Sequence, residues 1–324
     1  MARVALDVMG TDHGPGTTVS GAIMAAEAGI EVVLVGDESV INPMLDGAGA
    51  DLRVIHTADV IEMGEDPARA IREKPEASVM TSAKLVRSGE CEAMVSAGST
   101  GAAMAAAAIV IGRVSGILRP AIVTPIPAPN HPAMLLDAGA NPDVRPDHLA
   151  QFGVMGSLVA EVVYGIENPR VGLLNIGKEP SKGRDLERAA FKLLESAPVN
   201  FVGNVEGGDI VGDGADVFVT DGFTGNVALK TIESVGTFAV QLVATALSHL
   251  PASELTDVEG AFSEVREMLN PEQYGGAHLV GTKGGVVIAH GSSSDIAIFN
   301  AVRVASEGVK GGLVEQLGQR LLVK

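Results

Sequence analysis

One local pattern recurs along this chain and limits the folds open to it: a short apolar strand, a turn rich in Gly, Ser, Asn and Asp, and then an amphipathic or Ala-rich helix. EAMVSAGSTG leads into AAMAAAAIVIG in this way, and DVFVTDGFTGN leads into a long helical pattern. Five such units occur along the sequence. Because strands that alternate with helices build a mainly parallel sheet covered on both faces, the pattern predicts a three-layer α/β/α fold.

Composition agrees with that architecture and bounds the function. The chain has 324 residues, of which 46% are hydrophobic and 40 are Gly, which suits a large core and tight turns. A formal charge of −17 repels nucleic acid, so we expect no nucleic-acid partner. Cys91 is the only cysteine, which excludes an intramolecular disulfide. The start MARVALDVMG lacks the pattern of a signal peptide, and we expect a cytoplasmic protein.

A long helical pattern in the second half departs from the alternating units. Apolar residues recur with a 3.6-residue period from about 227 to 250, and a second helix is predicted at roughly 258 to 269. The sequence indicates one domain over residues 1–324, with a helical excursion at about 235–272. This excursion is expected either to project from the sheet or to pack on a second subunit.

Polar residues collect in the turns that follow the strands. Ligands of parallel sheets bind outside the carboxyl ends of the strands, and we expect these turns to lie together at the same sheet edge. Helix-terminal N–H groups, hydroxyls, amides and lysines are the groups that hold phosphate. The candidate site residues are Asp12, His13, Ser96, Ser99, Thr100, Asp137, Asn141, Lys182, Asn204, Glu206, Asp221, Thr224, Asn226, His290 and Ser292.

No nucleotide-binding motif accompanies these turns. The pattern G-x-x-x-x-G-K-[ST] does not occur, and Gly10, Gly14 and Gly16 do not have the spacing of G-x-G-x-x-G. The bound anion is therefore expected to be free phosphate or a phosphoryl group rather than a nucleotide. The spacing of the histidines matches no metal-binding motif, so we predict no metal site.

For several candidates, the sequence also leaves open a purely structural role. Lys182 is open between a phosphate contact and a solvated lysine, and Lys230 is more typical of an exposed helix lysine. His13 is open between capping the first turn and catalysis, and His290 is similar. A nucleophilic role for Ser96 lacks the surrounding G-x-S-x-G turn.

Several long motifs resemble those of the phosphate acyltransferase family. They include ALDVMGTDHGP, MVSAGSTGA, GLLNIGKEPSKG and DGFTGNVALK, in order from residue 3 to about residue 305. The resemblance implies a fold like that of isocitrate and isopropylmalate dehydrogenases, shared with phosphotransacetylases. It implies a homodimer without a cofactor that moves a long-chain acyl group from acyl carrier protein to inorganic phosphate. The acyl phosphate would feed phosphatidic acid synthesis through a membrane glycerol-3-phosphate acyltransferase.

That resemblance implies a role for each turn. Transfer to phosphate requires phosphate to be held against the thioester carbonyl, with donors for the oxyanion that forms. Lys182 is expected to carry the charge on phosphate or oxyanion, Asn226 to donate its amide, and His13 to protonate the leaving thiolate. The turns at 96–100 and at Ser292 would complete the phosphate cradle, and the acidic and amide candidates would orient these groups.

One segment departs from the family. Relatives commonly carry an apolar, lysine-rich tip in the helical excursion, thought to contact membrane, whereas residues 250–273 hold six acidic residues and Arg266 alone as a cation. An acidic helix lacks the attraction of lysine for anionic lipid, so peripheral membrane association is not the expectation here. A dimer interface, a carrier contact and plain core packing all remain open for its apolar residues.

Three other functions remain open from the sequence. The first is a short-chain phosphotransacetylase that uses acyl-CoA. The second is a metal- and NAD-dependent 2-hydroxy-acid dehydrogenase of the same fold, which needs a Tyr–Lys pair. Tyr164 and Tyr274 are the only tyrosines, and neither lies in a strand-end turn. The third is a non-catalytic sensor of acyl carrier or acyl phosphate.

Overall fold

One continuous sheet of eleven strands organises the part of the chain that the computed structural model describes, which is residues 2–248, 260, 262–267 and 269–322. The strands are β1 (Arg3–Asp7), β2 (Glu31–Gly36), β3 (Arg53–His56), β4 (Ala93–Ser96), β5 (Ala121–Ile126), β6 (Ala133–Leu136), β7 (Arg170–Leu174), β8 (Asn200–Val205), β9 (Val217–Val219), β10 (Ala277–Val280) and β11 (Gly285–Ile288). Their order across the sheet is β3-β2-β1-β4-β11-β10-β5-β6-β9-β7-β8.

Helices connect most of these strands. The helices are α1 (Pro15–Glu27), α2 (Glu38–Ala48), α3 (Pro67–Glu73), α4 (Ser78–Ser88), α5 (Thr100–Ala106), α6 (Pro146–Val162), α7 (Asp185–Leu194), α8 (Gly222–Leu247), α9 (Asp295–Lys310) and α10 (Leu313–Leu322). A further helical stretch covers 262–267. Each of the five predicted strand–turn–helix units is present, as β1–α1, β4–α5, β7–α7, β9–α8 and β11–α9.

The strand direction reverses near the middle of the sheet. β3, β2, β1, β4 and β11 pair in parallel, and β6, β9, β7 and β8 form a second parallel set. The pairings β11–β10, β10–β5 and β5–β6, which join the two sets, are all antiparallel. Because three reversals separate the two sets, their carboxyl ends lie at opposite edges of the hydrogen-bonded ladder. The expectation that all the strand-end turns share one edge is therefore wrong.

Helices cover both faces, as the three-layer prediction requires. In β1, Ala5 belongs to the buried cluster of α4 and α5, whereas its neighbours Val4 and Leu6 belong to the cluster of α1 and α9. In β6, Leu136 packs in the cluster of α6, α7 and α10, while Leu135 packs in the cluster that reaches α8. Successive strand residues thus bury opposite faces, which defines a central sheet between two helical layers.

The helix α8 begins earlier than the predicted residue 227. Asp221 accepts a hydrogen bond from the Thr224 N–H at 2.8 Å and caps the helix, so the helical backbone starts at Gly222. Beyond Gly225 no residue of α8 is buried. By length and composition alone this helix could cross a membrane, a test that helices packed on protein also meet. Its predicted end near residue 250, and residues 258, 259, 261 and 268 of the predicted second helix, lie outside the described residues.

Two glycines let α6 lie close against the sheet. A Cβ atom at Gly153 would lie 2.7 Å from the Leu194 side chain, and one at Gly156 would lie 2.5 Å from Val217. Both distances are shorter than atoms can approach without displacement, so these positions require glycine in spite of its poor helix propensity.

We expect Gly156→Ala to destabilise the fold by about 1–3 kcal/mol, because overpacking against Val217 outweighs the better helix propensity of alanine. Gly47→Ala is the matched control, since a Cβ atom there meets nothing within 4 Å. That variant should gain up to about 1 kcal/mol. Urea unfolding of both variants measures the difference, and a stabilised Gly156→Ala protein would show that α6 is not packed this closely.

Candidate active site

The reversal of strand direction divides the candidate residues into two groups. The first edge, at the carboxyl ends of β1, β4 and β11, holds Asp12, His13, Ser96, Ser99, Thr100, His290 and Ser292. The second edge, at the carboxyl ends of β6, β7, β8 and β9, holds Asp137, Asn141, Lys182, Asn204, Glu206, Asp221, Thr224 and Asn226. The predicted catalytic residue His13 therefore lies at the first edge, whereas Lys182 and Asn226 lie at the second.

Asp137 organises the second edge. Its side chain is fully buried and accepts hydrogen bonds from the main-chain N–H groups of Ile122 at 3.0 Å and of turn residues 139–141 at 2.7–3.2 Å. The Asn141 amide donates to the same carboxylate and to the Pro120 carbonyl, both at 2.8 Å. These polar atoms are engaged within the protein, so Asp137 and Asn141 hold the turn, and a direct contact of either side chain with substrate stays a prediction.

The first turn of α8 packs directly on that Asp137 turn. The Gly222 N–H donates to the Asn141 carbonyl at 2.8 Å. A Cβ atom at Gly225 would overlap the carbonyl oxygen of Asp137, so no other residue fits this approach. The glycines of DGFTGN thus serve close packing, and that packing fixes the N-terminus of α8 beside the turn.

Lys182 and Asn226 keep their side chains exposed at this edge. The Lys182 main chain is held on both sides, because its N–H donates to Glu179 at 3.0 Å and its carbonyl accepts from the Asn175 amide at 3.2 Å. Its side chain is 48% exposed, with Nζ 4.0 Å from the Glu179 carboxylate. The exposed Asn226 amide makes one long hydrogen bond, 3.4 Å, to the Ala138 carbonyl. Both groups are therefore free to donate to an incoming anion.

Arg184 connects two loops of this edge and is absent from the candidates taken from the sequence. Its Nη2 donates to Asp221 at 2.8 Å and its Nε donates to Glu187 at 3.0 Å. The Thr224 hydroxyl also donates to Asp221, at 2.9 Å. Burial favours a higher pKa for Asp221, but the Thr224 N–H and Arg184 outweigh it and lower the pKa. Asp221 and Thr224 thus serve the helix cap and the Arg184 ion pair.

Asn204 and Glu206 differ in exposure. Asn204 is buried, and its Nδ2 donates to the Glu179 carbonyl at 2.8 Å, which supports the loop that carries Lys182. Glu206 is exposed, and its main-chain N–H donates to Asp209, which also pairs with Lys178 at 3.2 Å. Asn204 is therefore a support of the Lys182 loop.

At the first edge, Ser96 is engaged with a buried carboxylate. Its hydroxyl donates to Asp7 at 2.6 Å and accepts from the Gly98 N–H at 3.3 Å, and the residue is only 1% exposed. Ser96 therefore holds the turn before α5, and its contact with phosphate stays a prediction. Burial raises the pKa of Asp7 to about 6, although hydrogen bonds from Ser78 and Ser96 oppose the shift.

The remaining first-edge candidates surround the turns after β1 and β11. The Asp12 N–H donates to the Gly291 carbonyl at 2.9 Å, which joins these two turns. His13 is exposed in the first turn. The His290 ring Nδ1 lies 2.7 Å from the Ser292 hydroxyl, and both residues are exposed. These side chains form a polar surface at the first edge only.

The helix α5 links the two edges. It begins at the first edge, where Ser99 caps it and Thr100 is exposed. Farther along, Ala103 belongs to the same buried cluster as Ala138 of the second edge, and Leu229 of α8 packs at the margin of that cluster. The helices α5 and α8 therefore lie over the same face of the sheet, and this face connects the two groups of candidates.

We expect the stability of Asp7→Asn relative to the natural protein to rise between pH 4 and pH 6. The pKa of Asp7 is raised from an ordinary 3.8 to about 6, so the folded state keeps a proton that the unfolded state has lost. As pH rises through that window, this linkage lowers the free energy of unfolding of the natural protein by up to about 3 kcal/mol. Urea unfolding at pH 4.5 and pH 7 tests it, with Asp143→Asn as an exposed control. An unchanged difference between Asp7→Asn and the natural protein would contradict the prediction.

Comparison with known proteins identifies the reaction class. A family model described as "Fatty acid synthesis protein" matches residues 2–316. The phosphate acyltransferase of Desulfitobacterium hafniense (strain Y51) is 46% identical over 327 residues, covering 99% of this chain and 98% of that protein. The phosphate acyltransferase of Elusimicrobium minutum (strain Pei191) is 44% identical, covering 98% of this chain and 96% of that protein.

Solved structures extend the likeness in fold. A phosphotransacetylase from Streptococcus pyogenes matches with a TM-score of 0.67 at 16% identity, covering 95% of this chain and 94% of that one. A 4-hydroxythreonine-4-phosphate dehydrogenase from Klebsiella pneumoniae matches with a TM-score of 0.55 at 12% identity, covering 94% and 98%. These two confirm the expected dehydrogenase-like α/β fold, while the full-length relatives show that the chain belongs to the phosphate acyltransferase family of enzymes.

Proposed function

We propose that this enzyme transfers a long-chain acyl group from acyl carrier protein to inorganic phosphate. A phosphate oxygen attacks the thioester carbonyl carbon, the tetrahedral intermediate collapses, and the C–S bond breaks to give acyl phosphate and the carrier thiol. The observation that carries the proposal is the second edge, where an exposed ammonium, an exposed amide and a helix N-terminus occur together. These are the groups that hold phosphate and stabilise an oxyanion.

Lys182 and Asn226 carry the chemistry in this proposal. The Lys182 ammonium offsets the charge of phosphate, and the Asn226 amide donates to the oxygen on which charge develops. Because phosphate is already a nucleophile, the main contribution of the site is to hold it against the thioester carbonyl. Asp137, Asn141, Asn204 and Asp221 contribute by fixing the turns that present these donors.

His13 can protonate the leaving thiolate only if a further condition is met. It lies at the first edge, so it reaches the leaving sulfur only if the carrier's thioester-bearing arm runs along α5 from the first edge to the second. The helices α5 and α8 pack on the same buried cluster, which places them side by side between the two edges. We therefore propose protonation of the thiolate by His13 separately from the roles of Lys182 and Asn226. In this arrangement the arm would pass the other candidates of the first edge, Ser99, Thr100, His290 and Ser292.

We expect Lys182→Ala and Asn226→Ala each to lower the rate of acyl phosphate formation about 10²–10³-fold, because each removes a donor to the transition state. Hydroxylamine traps the product from palmitoyl carrier protein and phosphate, and Lys192→Ala, an exposed lysine in α7, is the matched control. Full activity in a well-folded Lys182→Ala or Asn226→Ala protein would remove that residue from the mechanism. Product from acetyl-CoA alone would favour the short-chain transferase, and no product from any donor would favour the sensor.

We also propose that α8 packs against a second copy of the chain. Its exposed apolar residues include Val235, Phe238 and Leu242, which are 54–59% exposed. Between residues 231 and 248 its single charged residue is Glu233, so this stretch of the helix offers no cation to an anionic lipid surface. An apolar face of this length is typical of a subunit interface. We place the homodimer in the cytoplasm, where its product reaches a membrane glycerol-3-phosphate acyltransferase.

Phe238→Asp should weaken that dimer at least about tenfold, because it places a charge in the centre of an apolar interface. Sedimentation velocity across a dilution series measures the effect. Val211→Asp is the control, because Val211 is an apolar residue outside α8 that is 50% exposed. A natural protein that sediments as a monomer at all concentrations would contradict the dimer.

A further inference from the structure

Arg184 stands where the loop of Lys182 meets the start of α8. We propose that it is a positioning residue that sets the Lys182 ammonium against the Asn226 amide, an inference that rests on the proposed roles of those two side chains. Arg184 lies two residues after Lys182 in the chain, and Asp221, which it binds, lies five residues before Asn226. The ion pair is therefore a direct side-chain link between the loop that carries Lys182 and the start of the helix that carries Asn226.

On the α7 side, Arg184 and Glu187 form a closed local unit. The Arg184 N–H donates to the Glu187 carboxylate at 2.7 Å, and its Nε donates to the two carboxylate oxygens at 3.0 and 3.2 Å. Glu187 is buried, with its side chain 9% exposed. One carboxylate thus caps the first turn of α7 and orients the guanidinium, which fixes the direction in which Arg184 extends.

On the α8 side, the guanidinium reaches a second buried carboxylate. Its Nη2 donates to Asp221 at 2.8 Å, and the Asp221 side chain is 5% exposed. Asp221 is at the same time the N-cap of α8, through the Thr224 N–H and hydroxyl. A shift of Arg184 relative to Asp221 therefore changes the placement of the helix that carries Asn226.

The main chain between Arg184 and Lys182 couples the position of Arg184 to the position of Lys182. Gly183 has φ +87, and a Cβ atom there would lie 2.6 Å from the Asn175 side chain, which in turn binds the Lys182 carbonyl. The main chain is thus held at 182 and at 184, while the Lys182 side chain stays exposed. Apart from the 4.0 Å approach of Nζ to the Glu179 carboxylate, the position of the loop is what restrains the ammonium.

Charge makes the guanidinium hard to replace. Glu187 and Asp221 are both buried carboxylates, and removing Arg184 leaves them facing each other without a cation. An ammonium has one charged centre and does not reproduce the planar fork that binds two carboxylates at once. We therefore expect Arg184→Lys to retain part of the function that Arg184→Met loses.

A double-mutant cycle between Arg184 and Lys182 tests the inference. Alone, Arg184→Met should lower kcat about 10–100-fold with less than about a threefold change in the KM for the carrier substrate. In the Lys182→Ala background, the same change should lower kcat less than about threefold, because the residue that it positions is gone. Arg184→Lys should fall between the natural protein and Arg184→Met. Arg69→Met, an exposed arginine on α3 that pairs with Glu73, is the control.

Independent effects, which multiply in the double variant, would overturn the positioning role. If Arg184→Met does not fold by circular dichroism, the same cycle is run with Arg184→Lys, and multiplicative effects in that cycle would overturn the positioning role equally. A natural protein that makes no acyl phosphate from any donor would refute the proposed function instead. Active natural protein with an unaffected Arg184→Met variant refutes the inference alone.

Discussion

The three antiparallel pairings at the centre of the sheet determine where chemistry can occur in this protein. They make the strands of the second parallel set run opposite to those of the first, so the strand-end turns of the two sets lie at different edges of the sheet. The cations Lys178, Lys182 and Arg184 all fall at the second edge, together with the start of α8. An overall charge of −17 is thus compatible with an anionic substrate, because the local groups set the field at the site.

Close packing and buried polar groups fix the second edge before any substrate binds. Asp137 satisfies the N–H groups of its own turn, and Gly225 allows α8 to rest on that turn. Buried carboxylates of this kind are costly unless they are fully hydrogen-bonded, and here they are. The residues that hold the site are thus distinct from Lys182 and Asn226, which we propose contact the substrate. Such preorganisation is how a site of few donors stabilises a transition state.

Local signals in the sequence predict the strand–turn–helix units correctly, and they place the start of α8 about five residues too late. The strand–turn–helix units, the α8 pattern and the glycine turns follow from short-range periodicity and turn chemistry. Short-range sequence patterns do not contain the direction of one strand relative to a distant strand, so they predict a single edge where the structure has two. The Arg184–Asp221 pair spans 37 residues and was missed for the same reason. Ser96 looked like an open turn serine, because its partner Asp7 lies 89 residues away.

The proposed reaction requires phosphate to bind at the second edge, between Lys182 and Asn226. Diffraction from crystals of the protein soaked in phosphate, with tungstate as a heavier analogue, locates the anion directly. We expect density within hydrogen-bonding distance of the Lys182 ammonium and the Asn226 amide. Density confined to the first edge, at the start of α5 beside Ser99 and Thr100, would contradict it.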